Sequence, residues 1–470
     1  MRNFYQPALP PLVGWSVSPP MIKTARSRLA WSPVLGCWVL LSWAATGAQA
    51  QIVTDAPAIQ MIDLQTPIVD LLNLPGSPVG ALGQRSPSEL GISLGAFTLY
   101  PQIDLLAGFD DNVFATPAPT TGSPFAVVRP QLELRSEWLN HYLRLLAGGG
   151  FGFYSAAPTQ NFQNYNIRLD GRLDIRDDFY LTGLVAFQRA TEALGTPNVT
   201  FSQAPTIADS LAAEVSLYQK FNRFFYQLTA TATKYWYYEF SNIASLGLPA
   251  ESRNRTEYEE RIRLGYEVSE GVSVWLQPGL NQRLYDAPTN MFGQQRDSTG
   301  WFLNLGATAV LSPKTQLEGF VGYQALTYPA DGTTTSAMTF GLRGVWNGYE
   351  PLTLRPAIMR SINESALIDY QNYISTTVGV DFTYQINGPW QAVGGVAYNI
   401  AQYTPAYGVS SVNPRTDYFF RGSIGLLYSI RPQIQIGPLY EYASGWSTDV
   451  AAGGPTYTRN IFSIRLVARN

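Results

Sequence analysis

The side chains of this chain best suited to chemistry are ionic, and they recur at every second position. Between Tyr165 and Arg176 run Arg168, Asp170, Arg172 and Asp174, with Ile167, Leu169, Leu173 and Ile175 in the alternate places. A β-strand sends successive side chains to opposite faces, so this stretch has one apolar and one ionic face. The same reading puts Glu259, Arg261, Arg263 and Glu267 on one face of a second strand. Arg283, Arg355, Asp381, Arg421, Glu441 and Arg465 fall on matching faces of others. Such rows could set the field inside a water-filled passage, or pair with one another and brace a wall. The mixture of signs argues against a simple anion or cation filter. Beyond residue 50 the lysines are only Lys220, Lys234 and Lys314. The dominance of arginine suits planar contacts with carboxylates, either of neighbouring side chains or of acidic sugars.

Catalysis is poorly provided for. The single histidine, His141, follows a short polar turn at Leu139-Asn140 and reads as an interfacial side chain, not as the base of a hydrolase. The single cysteine, Cys37, lies in a segment expected to be removed, which leaves no thiol, disulfide or cysteine metal site. Metal-ligand clusters, zinc motifs and phosphate-binding glycine loops are absent from the sequence. The expectation is a protein that is not an enzyme and holds neither metal nor cofactor.

The strands that carry the ionic rows are long. Tyr165 to Arg176 turns at Asp177-Asp178 into Phe179 to Arg189, each arm about twice the usual five or six residues. About 9–11 residues cross a bilayer at a tilt. Charged residues are 14% of the chain, against roughly 25% in soluble globular proteins. Aromatic residues reach 13%, with 28 Tyr and 11 Trp, as suits a surface partly facing lipid.

Residues 1–50 read as a signal peptide, with Met21 as an alternative start. Lys23, Arg26 and Arg28 form its positive end, Leu29 to Ala45 its apolar run, and Ala48-Gln49-Ala50 its cleavage site. The mature chain then has 27 basic residues, the whole chain's 31 less the four in this segment, against 34 acidic ones. It is mildly acidic and offers no surface for nucleic acid. No later apolar run is long enough for a membrane helix. Residues 51–95, rich in Pro, Gly and Ser, read as a flexible periplasmic lead-in that could tuck into a lumen.

From residue 96 to 470 short turns alternate with long loops. The turns fall at Leu139-Asn140, Asp177-Asp178, Asn222-Arg223, Glu270-Gly271, Pro313-Lys314, Asn347-Gly348, Asn387-Gly388 and Arg431-Pro432. Aromatic side chains near the turns (Trp138, Tyr266, Trp346, Tyr384, Trp390, Tyr428) would form one membrane girdle. Trp236, Tyr285, Tyr373, Tyr398 and Tyr442 would form the other. Eight hairpins plus a first and a last strand give an all-β, antiparallel up-and-down transmembrane barrel of 18 strands, with 16 as the alternative.

The stretch Leu99 to Pro117 contains Asp110, Asp111, Asn112, Val113 and Phe114. It resembles the opening of the β-barrel porin family of proteobacterial outer membranes. That resemblance implies an outer-membrane barrel, some members of the family being associated with exopolysaccharide secretion. The implied partners are outer-membrane lipid, the barrel assembly machinery, polysaccharide and periplasmic export components. Outer-membrane barrels usually close on a terminal aromatic, and Asn470 departs from this. The two aspartates could hold a divalent cation, but the plainer reading is that they cap a turn and face water. Two functions stay open: a porin-like channel passing polysaccharide or other polar solutes, or a plugged barrel serving as a docking component of the envelope.

Overall fold

A computed structural model describes residues 91–470 except 200–204, 239–249, 288, 290–292, 313–314, 350, 368, 407–412 and 451–452. The signal peptide with Ala48 and Ala50, residues 51–90 of the lead-in and the Pro313-Lys314 turn lie outside the described residues.

A short strand β1 (Ile92–Leu94) is followed by eighteen long ones. They are β2 (Phe97–Asp110), β3 (Ser123–Ser136), β4 (Tyr142–Tyr154), β5 (Phe162–Arg176), β6 (Phe179–Thr191), β7 (Ile207–Phe221), β8 (Phe224–Tyr238), β9 (Arg255–Ser269) and β10 (Val272–Tyr285). The second half has β11 (Ser298–Ser312), β12 (Thr315–Tyr328), β13 (Thr333–Tyr349), β14 (Leu352–Glu364), β15 (Tyr370–Asn387), β16 (Trp390–Pro405), β17 (Arg415–Arg431), β18 (Ile434–Ser447) and β19 (Tyr457–Arg469). Each pairs antiparallel with the next, and β19 returns to pair with β2 from Arg469↔Gln102 to Ile461↔Asp110. The sheet is therefore a closed barrel of eighteen strands, and sixteen is excluded.

Closure leaves one edge to cover. β19 ends opposite Gln102, so the first residues of β2 lack a partner on that side. β1 supplies it, pairing Ile92 to Leu94 with Phe97 to Leu99. Unpaired edges recruit foreign strands, and this small hairpin blunts the exposed one. It falls in the segment read above as lead-in.

The turns lie close to their expected places, with one correction. Asn347-Gly348 is not a turn. β13 continues through it to Tyr349, which pairs with Leu352 after an irregularity beyond Trp346. The Asn347 side chain donates to Thr353 Oγ1 at 2.7 Å, and the Trp346 ring lies over Gly348. The pair thus makes a bulge, where a glycine admits an overlying ring.

The outer face is apolar. Ile167, Leu169, Leu173 and Ile175 are each about half exposed, as are Val185, Leu264, Leu305, Val321, Val396, Ile424 and Ile464. Glu260 is an acidic exception on this side. The turn-side girdle contains Trp138 against Phe97, Tyr266 against Phe224 and Trp390 against Tyr428. On the loop side Tyr398, Tyr418 and Trp446 stack together. Tyr285 and Tyr373 do not belong to that girdle. Tyr285 donates to Glu364, and Tyr373 is buried against Tyr403. Both occupy the inward phase of their strands.

Inner side chains are layered on glycine. Trp275 lies over Gly306, its Nε1 donates to Thr308 at 3.1 Å, and Arg263 sits over its ring at 3.9 Å. A Cβ at Gly306 would approach the indole to 2.3 Å and the Gly319 carbonyl to 2.7 Å. Gly306→Ala is expected to destabilise the refolded barrel by about 1–3 kcal/mol in urea unfolding. Gly183→Ala is the control, its Cβ meeting nothing closer than 4.0 Å.

One ladder stops early. β13 and β14 pair from Tyr349↔Leu352 only as far as Phe340↔Arg360, although β13 begins at Thr333 and β14 runs on to Glu364. Beyond Arg360, β14 leaves β13 while still paired with β15. Arg360 Nε donates to the Met338 carbonyl at 3.2 Å, and Asn372 Nδ2 donates to Thr335 Oγ1 at 2.8 Å. Side chains thus stitch the parting that backbone bonds leave. Ile362 and Ile374 pack there with Leu326, Tyr328 and Ala337.

Candidate functional site: an ionic inner wall beneath a roofed mouth

The Asp-Asp-Asn-Val-Phe stretch closes the ring. Asp110 is fully buried and accepts from Arg459, with Nε 3.0 Å from both carboxylate oxygens. Asp111 accepts from the backbone and side chain of Asn460, both at 2.7 Å. Asn112 Nδ2 donates to the Thr116 and Thr458 carbonyls at 2.8 and 2.9 Å. Val113 is buried, and Phe114 packs against Ala115, Leu194, Phe419, Ala443 and Tyr457. Asp110 Oδ1 also accepts the Asn112 N–H at 3.1 Å, so it caps the turn as expected, but from a buried position and not one facing water. β2 and β19 are the only neighbours in the ring not joined by a turn, and charge-assisted bonds fasten that seam.

The rows of charges occupy the concave side of the wall. Arg263 on β9 reaches Glu318 on β12 at 3.1 Å, and Arg261 reaches Glu214 on β7 at 3.0 Å. Side chains of non-adjacent strands converge inside a cylinder and diverge outside it. Most of the charges found by alternation are paired there. Arg168 and Arg144 share Asp170, each at 2.9 Å, and Arg172 binds Asp174 at 2.7 Å. Glu259 holds Arg261 at 2.8 Å, Glu267 binds Lys220, Arg421 binds Glu441, and Arg465 binds Asp104 at 2.8 Å. Arg355 faces Asp381 across the β14–β15 ladder and donates to Thr383 Oγ1 at 3.3 Å. His141 Nδ1 accepts the Asp174 backbone N–H at 3.2 Å.

Several wall charges are additional to those expected from the alternation. Asp104, Arg144, Glu214, Glu318 and Arg343 obey the same period of two, and their phase would have revealed them. Glu364 and Arg296 could not be found that way, because they act at or beyond strand ends. Arg129 on β3 pairs with Asp104 at 3.7 Å and Arg343 with Glu318 at 3.3 Å, yet their side chains stay 40% and 55% exposed.

At the loop end the mouth is crossed by chain. The connection after β6 binds Arg253 through Glu192 at 2.6 and 2.8 Å. It packs Leu194 on Phe419 and Tyr457, and the Tyr457 hydroxyl donates to the Gly195 carbonyl. Asn198 then accepts the Ala366 N–H at 2.6 Å, donates from Nδ2 to the Glu364 carbonyl at 3.1 Å, and donates its N–H to Tyr403 on β16 at 2.8 Å. β16 is ten strands beyond β6 in a ring of eighteen, so this connection spans nearly to the opposite wall. Asn198 has φ of 64°, a conformation that asparagine tolerates better than most residues. The departing end of β14 meets it from the other side. Among the described residues no group of three or more His, Cys, Asp or Glu could hold a metal ion.

A closed antiparallel barrel, apolar outside and ionic within, is the architecture of an outer-membrane porin. Residues 87–470 match the family model described as "Putative beta-barrel porin 2", and the chain belongs to that family. It is an outer-membrane β-barrel of the porin kind. No curated protein matches it. Solved barrels overlap it loosely. OccK3 (OpdO) of Pseudomonas aeruginosa is 11% identical over 79% of this chain and 95% of its own, with a TM-score of 0.40. The siderophore receptor PirA of Acinetobacter baumannii is 7% identical over 79% and 80%, with a TM-score of 0.41.

Proposed function

We propose that the mature chain is a channel for polar solutes, polysaccharide among them, across the outer membrane of a Gram-negative bacterium. The supporting observation is the mixed arginine and carboxylate lining of the concave wall. Arg168, Asp170, Arg172, Asp174, Glu259, Arg261, Arg263, Glu267, Arg283, Arg355, Asp381, Arg421, Glu441 and Arg465 would face its water. Pairing and burial make most of them braces of the wall, which leaves selectivity to paired but open heads such as Arg129 and Arg343. Residues 1–50 would be the cleaved signal peptide and 51–95 the periplasmic lead-in, where export components would dock. The test is conductance of the refolded chain in planar bilayers. Measurable current supports a channel, and a tight insulator under all conditions refutes it. Within that reading, Arg129→Glu with Arg343→Glu is expected to move the reversal potential towards cation selectivity. The alternative, a plugged docking component, is favoured by the chain crossing the loop-side mouth, and an insulating barrel would bear it out.

A further inference from the structure

Glu364 is the tip of the β14 end that has left the wall, and its carboxylate enters a pocket built by other elements. Oε1 accepts from Arg283 Nη1 on β10 at 2.6 Å and lies 3.5 Å from the Tyr328 hydroxyl of β12. Oε2 accepts from the Tyr285 hydroxyl at 2.9 Å and lies 3.6 Å from Arg296 Nη2. Arg283 also donates to the Ile362 carbonyl at 3.2 Å, and Arg296 to that of Ser365 at 2.6 Å. Two other anions lie beside the pocket: Glu257 is 3.9 Å from Arg283 and is itself held by Arg255 at 2.6 Å, and Asp297 accepts the Tyr285 backbone N–H at 2.8 Å. Arg296 is 7% exposed, packs on the Tyr285 ring, and leaves Nη1 without a partner.

Two guanidiniums and two phenols converging on one carboxylate form a complete recognition site for that group. Elsewhere the wall's braces take their carboxylate from an adjacent strand, as Asp104, Asp170 and Glu441 show, or from two or three strands away, as Glu214 and Glu318 show. Here it comes from four strands away, on the segment that closes the mouth, and one arginine nitrogen is left over. We propose that this pocket is a binding site for the carboxylate of an acidic solute, occupied in the closed mouth by Glu364 as an internal substitute. A solute carboxylate entering the pocket would displace Glu364, and with it the Glu364 and Ala366 backbone that Asn198 grips. The site would thus read acidic solutes and loosen the roof together. This rests on the channel reading above.

The test is titration calorimetry of the detergent-folded barrel with glucuronate and with glucose. Glu364→Ala, which vacates the pocket, is expected to bind glucuronate about tenfold tighter than the unaltered chain does, with no gain for glucose. Adding Arg296→Ala should abolish that gain. If Glu364→Ala does not fold, Glu364→Gln keeps the shape without the charge and should show the same preference more weakly. Equal affinity for the two sugars in the vacated pocket would overturn the proposal, as would glucuronate binding that survives loss of Arg296. An insulating barrel that still prefers glucuronate would refute the channel and leave the site standing.

Discussion

Asp110→Ala is expected to yield a barrel that fails to close or opens far more readily. The substitution strands Arg459 in the seam with no carboxylate. Removing one partner of a buried ion pair costs about 3–5 kcal/mol, because the other charge stays desolvated. That is a large share of the stability of an ordinary folded domain, about 5–15 kcal/mol. The measurement is the fraction of compact species on unheated detergent gels, together with urea unfolding in vesicles. Asp111→Ala should cost less, since it removes two hydrogen bonds from Asn460 and no charge pair. If Asp110→Ala were as compact and as resistant as the unaltered chain, the β2–β19 backbone ladder alone would hold the seam.

The second large effect concerns the roof. Replacing Ala193–Val199 by glycine and serine keeps the length of the connection but deletes the Leu194 packing and the two Asn198 side-chain bonds. The residues that bridge towards the opposite wall would then lose their hold on the β14–β15 end, with only a backbone N–H left to reach Tyr403. Single-channel conductance is expected to rise severalfold, with the compact gel band unchanged because the wall ladders are untouched. Conductance equal to that of the unaltered chain would show that these residues do not limit passage.

Much of the wall was legible in the sequence because a strand has only two faces. Once Arg168, Asp170, Arg172 and Asp174 fall in one phase, membership of the inner face follows by counting in twos. Turn positions were nearly as clear, since eight polar pairs interrupt long alternating runs. Asn347-Gly348 misled because the same dipeptide serves a bulge when a ring, here Trp346, covers the glycine. The seam and the roof were illegible for a different reason. Asp110 meets Arg459, Asn198 meets Tyr403, and Arg283 meets Glu364 across distances set by closure, not by local pattern. Tyr285 and Tyr373 looked like girdle residues because an aromatic near a strand end serves lipid or mouth equally well. Only the phase of the neighbouring charges tells which.

Spin labels placed singly at each position from Tyr165 to Arg176 of the folded protein in vesicles report directly which face meets which solvent. Labels at 167, 169, 173 and 175 should be relaxed by oxygen dissolved in the acyl chains. Those at 166, 168, 172 and 174 should be relaxed by a water-soluble nickel chelate. Uniform access to the chelate along the strand, or the two phases exchanged, would contradict a lipid-facing apolar wall around an ionic interior.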